Sequence, residues 1–125
     1  MKQKTLIRIL FIAGILLSGL YSCTYETIIP KDPEVPEDVS FELNVIPIFN
    51  SSCNSSGCHN KGGIRPDLSA DNAYTSLTFF GYVDTDNPES SVIYTKINTG
   101  SMKNYATDQD RAIILKWIEQ GALDN

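Results

Sequence analysis

Histidine is nearly absent from this 125-residue chain: His59 is the only one, accompanied by one tryptophan, three cysteines and a single methionine beyond the initiator. There is no second histidine, no triad-like set of nucleophile, base and orienting acid, and no glycine-rich phosphate loop. Acid–base enzymology and nucleotide handling therefore lack the residues they need. Positive charge is scarce as well. Ten Lys and Arg stand against 15 Asp and Glu, a balance that argues against nucleic acid as a partner, because a phosphate backbone rewards cations. The one long apolar run, Ile9 to Leu20, is too short for a spanning helix, which needs about 20 apolar residues.

That run has a recognisable setting. Lys2, Lys4 and Arg8 precede it and Leu20-Tyr21-Ser22-Cys23 closes it, the layout of a secretory leader. A leucine three residues before a cysteine, with a small residue directly ahead of that cysteine, resembles the lipobox of bacterial lipoproteins. The resemblance implies cleavage before Cys23 and a diacylglycerol on its thiol. Acyl chains then hold the protein at a membrane without a protein span. An uncleaved anchor and an unlipidated secreted chain are the alternatives. The expected organisation is a signal peptide over 1–22, a lipidated tether over 23–39 and a domain over 40–125.

Within the domain the chemistry concentrates in Cys53-Asn-Ser-Ser-Gly-Cys58-His59. In the C-x-x-C-H motif two thiols bond to the vinyl groups of haem and the adjacent histidine becomes an axial ligand of the iron. Here four residues separate the cysteines, so the loop between them must bulge. Ser55, Ser56 and Gly57 are small enough, and Gly57 can take a positive φ where the chain doubles back. Lipid on Cys23 and thioethers at Cys53 and Cys58 account for all three cysteines, and export agrees with haem attachment outside the cytoplasm. A Cys2His metal site has no obvious fourth ligand.

Around this motif the chain reads as short helices. Pro30, Pro33 and Pro36 with acids between them predict an extended spacer, or a disordered start. The pattern Val45, Ile48, Phe49, Ser52, flanked by Ile46, predicts a helix over 44–52 with Pro47 in its first turn, delivering Cys53. Asn60 to Leu68 is a loop by its glycines and proline, and a backbone carbonyl near Pro66 is placed to accept from the second nitrogen of His59. A helix is predicted over 69–77, capped by Ser69, with Ala70, Ala73, Tyr74 and Leu77 on one face. The acidic stretch from Asp84 to Ser90 lacks the glycine and terminal glutamate of a calcium loop. It reads instead as a helix start, with Asn87 as cap, Pro88 at the first position and Val92, Ile93 and Ile97 facing inward. Met102, in a loop beyond these helices, is either the second axial ligand or a core filler. Thr107 to Asp110 predicts a capping box ahead of a last helix carrying Ile113, Ile114, Trp117, Ile118 and Ala122 on one face.

Taken together these stretches resemble the small c-type cytochrome domains of Bacteroidetes and Planctomycetes lipoproteins. The residues that carry the likeness are Phe49-Asn-Ser-Ser-Cys53 with Cys58-His59, Pro66-Asp67-Leu68, Asn87-Pro88-Glu89-Ser90, Ser101-Met102 and Ile114 to Ala122. It spans 41–125. It departs from the family in its wider cysteine gap and in Lys103, where a proline usually follows the methionine. The resemblance implies an all-α, cytochrome c-like fold of four short helices around one covalently bound haem c, with the first and last helices crossing. It also implies His59 and Met102 on the iron, and Pro66 accepting the histidine proton. Phe41, Phe49, Phe79, Phe80, Tyr82 and Trp117 are the candidates to line the porphyrin.

The function expected is single-electron transfer between redox partners in the periplasm or at the outer membrane, by a protein lipid-anchored to the cell membrane or outer membrane. Two alternatives stay open: a gas sensor or weak peroxidase with a dissociable Met102, and a haem-free lipoprotein with a Cys53–Cys58 disulfide. Loss of the leader removes Lys2, Lys4 and Arg8 and no acid, leaving 7 cations against 15 acids, about −8; that balance points to a basic redox partner. Metabolic labelling with a radioactive fatty acid is expected to tag the wild-type protein and not Cys23→Ala. Equal labelling of both would rule out Cys23 as the lipid site.

Overall fold

The computed structural model describes residues 32–125 and the isolated Gln3. Among the described residues there are four helices and no strand, so the all-α expectation holds. Helix α1 runs over 41–53 as three continuous segments, Phe41–Val45, Ile46–Ile48 and Phe49–Cys53. Helix α2 is Ala73–Phe79, α3 is Val92–Asn98 and α4 is Asp108–Glu119, with single tight turns at Pro88–Ser90 and Lys103–Tyr105. No helix among the described residues is long and apolar enough to cross a membrane.

Helix α1 starts earlier than its apolar pattern predicts. Ser40 caps it, its Oγ accepting from the Leu43 N–H at 3.2 Å while Asn44 Oδ1 accepts from the Ser40 N–H at 2.8 Å. Pro47 therefore sits inside the helix and not in its first turn. A proline there removes one donor and crowds the carbonyl four residues back. The helix accommodates it with wide turns on either side, Ile46 N–H reaching Phe41 O and Asn54 N–H reaching Phe49 O. Val45, Ile48 and Phe49 are buried as expected.

The core lies where α1 meets α4. Phe41 and Trp117 are 3% and 1% exposed, with ring centroids 4.9 Å apart, and Phe49 and Tyr74 approach Phe41 edge-on at 6.3 and 5.5 Å. Each such pair adds about 0.5–1.5 kcal/mol beyond the area it buries. The buried indole is not left unpaired, since Trp117 Nε1 donates to Leu123 O at 2.9 Å. The capping box on α4 is complete, Thr107 N–H donating to Asp110 Oδ2 and Asp110 N–H to Thr107 Oγ1.

Two expected caps are taken over by neighbours. The Ser69 hydroxyl donates to Asp67 Oδ1 at 2.6 Å, so the chain turns there and α2 begins only at Ala73. Asp84 Oδ1 accepts from the N–H groups of Asp86 and Asn87, both at 3.0 Å; Asn87 precedes only the Pro88–Ser90 turn and makes no side-chain cap, and the chain extends at Ser91 before α3 starts. In both places the amide three residues on bonds to the backbone carbonyl of the anticipated cap and not to its side chain, Asn72 N–H to Ser69 O and Ser90 N–H to Asn87 O, each at 2.9 Å. A buried serine then closes each loop. Ser76 Oγ accepts from Asp67 N–H, and Ser91 Oγ accepts from Asp84 N–H while donating to Asp84 O.

The stretch ahead of α1, expected as a tether up to residue 39, bends at Glu37 and Asp38 and is fastened along 34–39. Gln109 Nε2 donates to Glu34 O, Gln120 Nε2 donates to Glu37 O at 2.6 Å, and Val39 N–H donates to Gln120 Oε1 at 2.9 Å. Val35 packs against the core.

Asp67 links this scaffold to pH. Hydrogen bonds from the Ser69 hydroxyl first, then from the Ser69 N–H, with smaller help from Asn72 and the Lys61 charge, outweigh desolvation and hold its carboxyl below the ordinary value. A carboxyl lowered on folding stabilises the protein above its unfolded value, and that contribution disappears as pH falls through the folded one. Asp67→Asn should therefore have a lower urea midpoint than wild type at pH 7, with the gap closing below about pH 4. A gap constant with pH would contradict this.

Candidate functional site

The segment that follows α1 is closed by its own backbone. Cys53 O accepts from His59 N–H at 3.1 Å, Cys58 O from Ile64 N–H at 2.7 Å, and His59 O from Leu68 N–H at 2.7 Å. Gly57 takes φ +82°, the positive value its bulge requires. Gly63 is needed for space: a Cβ there would lie 2.3 Å from Cys58 O and 2.4 Å from the buried Asn60 Oδ1. These contacts bring Cys53, Cys58 and His59 to one wall of a cavity of about 340 Å³, within the usual range of about 300–1,000 Å³ for cofactor-sized sites.

The imidazole is fixed by two acceptors. His59 Nδ1 lies 3.0 Å from Ile64 O and 3.0 Å from Pro66 O. Carbonyl oxygens only accept, so Nδ1 carries the proton. In the neutral ring that leaves the Nε2 lone pair free for a metal or another donor. Pro66 is thus the acceptor expected from the sequence, and Ile64 is a second that was not.

Both thiols are free, Cys58 exposed and Cys53 partly buried. Burial first, with the charges of Asp110 and Cys58 adding to it, pushes the Cys53 thiol up to about 11, so at neutral pH it is protonated and a weak nucleophile. Beyond the cysteines, Ile48, Phe49, Leu68, Tyr82, Ile93, Ile97 and Ile114 give the cavity a predominantly apolar lining, and Met102 shares it. No three His, Cys, Asp or Glu side chains among the described residues converge as a metal site. A haem needs only two axial ligands, since the porphyrin supplies the other four.

Several expectations about the lining change. Of the six aromatics proposed for it, Phe49 and Tyr82 reach the cavity. Phe41 and Trp117 are spent on the α1–α4 contact, and Phe79 and Phe80 point outward, 79% and 52% exposed. Cys23, proposed as the lipid site, and the signal peptide lie outside the described residues.

Arg111 was missed. Its Nε donates to Ile97 O at 2.8 Å and its Nη2 to Lys103 O and Ala106 O, each at 2.7 Å, while Nη1 pairs with Asp108. One guanidinium thus grips the backbone on both sides of Met102. The signal in the sequence was a cation at the end of the first turn of a helix, where the dipole disfavours it. No protein-family model, curated protein or solved structure matches this chain.

Because Arg111 is 15% exposed and its fork satisfies three carbonyls, Arg111→Gln is expected to cost about 2–3 kcal/mol in urea unfolding. The amides of Met102 and Lys103 should exchange faster by NMR. Arg111→Lys should recover only part of this, for want of the planar fork. Unchanged exchange at Met102 would show that the clamp does not hold that loop.

Proposed function

We propose that this chain is a membrane-tethered monohaem c-type cytochrome that passes single electrons between redox partners. The observation that carries the reading is the meeting of Cys53, Cys58, His59 and Met102 on one apolar cavity, with the His59 ring already oriented through Nδ1. Two thiols suit the two vinyl groups, an imidazole and a thioether suit the two axial positions, and the apolar walls suit a porphyrin face.

When bound, the haem supplies an iron that cycles between the ferric and ferrous states. The chain's residues do the rest. Cys53 and Cys58 would hold the group covalently through thioethers. The carbonyls of Ile64 and Pro66 keep Nε2 of His59 available and the ring from turning. Met102, which lines the same cavity, would offer its thioether to the iron, and a site so filled would match the lack of acid–base machinery. Ile48, Ile93, Ile97 and Ile114 exclude water and so disfavour the more charged oxidation state. In this reading the chain is exported and lipidated on Cys23.

A pyridine haemochrome spectrum of protein co-expressed with c-type maturation machinery tests the reading. Covalent haem resistant to acid–acetone extraction is expected in the wild type and should disappear in Cys53→Ala/Cys58→Ala. A colourless wild type, under conditions that mature a control protein with the same cysteine gap, would sink it.

A further inference from the structure

Met102 reaches the cavity on the segment 99–106, between α3 and α4, and the two arms of that segment are secured differently. The arm ahead of Met102 is tied to α3 by its own backbone, Gly100 N–H donating to Thr95 O at 2.9 Å and Met102 N–H to Lys96 O at 3.0 Å. Gly100 is required for this approach, since a Cβ there would lie 2.9 Å from Lys96 Cα and 3.0 Å from Thr95 O. Beyond Met102 the N–H groups of Lys103 and Tyr105 bond only within the segment, to Gly100 O at 3.2 Å and Met102 O at 3.0 Å. Among the described residues, the hydrogen bonds that fasten 103–106 to anything outside the segment come from Arg111, whose Nη2 donates to Lys103 O and Ala106 O while its Nε holds Ile97 O on α3.

We propose that Arg111 is a positioning residue for the axial methionine: it holds the Met102 segment against α3 and so keeps the sixth coordination position closed to small ligands of the iron. The inference rests on the haem reading and deepens it, because it selects electron transfer over a sensor or peroxidase with a dissociable methionine. An outward movement of 103–106 would break the bonds to Lys103 O and Ala106 O together, since one Nη2 makes both, while the bond to Ile97 O keeps the guanidinium from following. Arg111 is 15% exposed, so a charged donor would be left with little water to replace the lost carbonyls. Lys103 stands where a proline would stiffen the chain after the methionine. Met102 has φ −97° and ψ 5°, a region that a following proline disfavours. The conformation adopted here thus excludes that device and leaves the restraint to Arg111.

The test mixes the oxidised, haem-loaded full chain in nonionic detergent with imidazole, which bonds to the iron through nitrogen only where the methionine sulfur has left; no electron moves. Arg111→Gln should take up imidazole about thirtyfold faster than wild type, the factor expected when a charge-assisted hydrogen bond is withdrawn from the closed state, and should weaken the methionine-to-iron charge-transfer band. Arg111→Lys should fall between the two, since an ammonium lacks the planar fork. Val45 is fully buried on α1 and does not line the cavity, so Val45→Ala loosens the domain without touching the segment and should leave the rate within about twofold of wild type. Equal acceleration by Val45→Ala and Arg111→Gln would report a general loosening and overturn the inference. An Arg111→Gln protein with wild-type rate and band would overturn it too; should that variant fail to accumulate, wild-type behaviour of Arg111→Lys does the same. A wild type that carries covalent haem but lacks the band takes Met102 off the iron and overturns the inference while covalent attachment stands. A colourless protein removes the haem reading and this inference together.

Discussion

One N–H group, on Nδ1 of His59, is shared between the carbonyls of Ile64 and Pro66, and the geometry around the cavity depends on it. It decides the tautomer, so the opposite nitrogen is the one with a lone pair to offer. It also pulls the chain between His59 and Pro66 into a closed loop, which the Leu68 N–H bond to His59 O then seals. With the ring tied at one nitrogen and its backbone tied at both N–H and C=O, little freedom remains to be lost when a ligand meets the other nitrogen.

The rest of the domain is assembled in a similar manner, by side chains that staple backbone rather than by long helices. Apart from α1 and α4 the helices have seven residues each, below the length at which a helix holds itself together in water. Their ends are secured from outside: Ser76 and Ser91 close the loops that precede or surround α2 and α3, and Arg111 ties the end of α3 to the turn before α4. A domain of this size buries a thin core. A large apolar group seated in the cavity would extend that core on the side where the staples are densest.

How much of this could be read beforehand follows from the range of each interaction. The capping box at Thr107 and the positive φ of Gly57 were legible because both are decided within a few residues. The buried face of α1 was legible from its spacing. Ser69 and Asn87 were misjudged because an acid two or three residues upstream draws each of them into a turn, and the amides they would have capped bond to backbone carbonyls instead, an outcome that residue types alone do not settle. Phe79 and Phe80 were assigned to the cavity wall on aromatic character, but direction around a helix end depends on where the helix stops, and α2 runs two residues further than its pattern suggested. Arg111 gathers carbonyls eight and fourteen residues away, a convergence that appears only once α3 and α4 are packed.

The chain enters this domain beside Asn125. Val39 and Glu37 share the amide of Gln120, Ser40 Oγ and Glu42 N–H bond to Asn125 O, and Phe41 N–H bonds to Asn125 Oδ1. A pull delivered through the leading segment meets the Gln109–Glu34 bond first and then this group of bonds. The load then passes into α4 and the packed rings of Phe41 and Trp117. The segment from Cys53 to Leu68 lies off that path, so a load carried this way reaches α4 without passing through the loop that holds the imidazole.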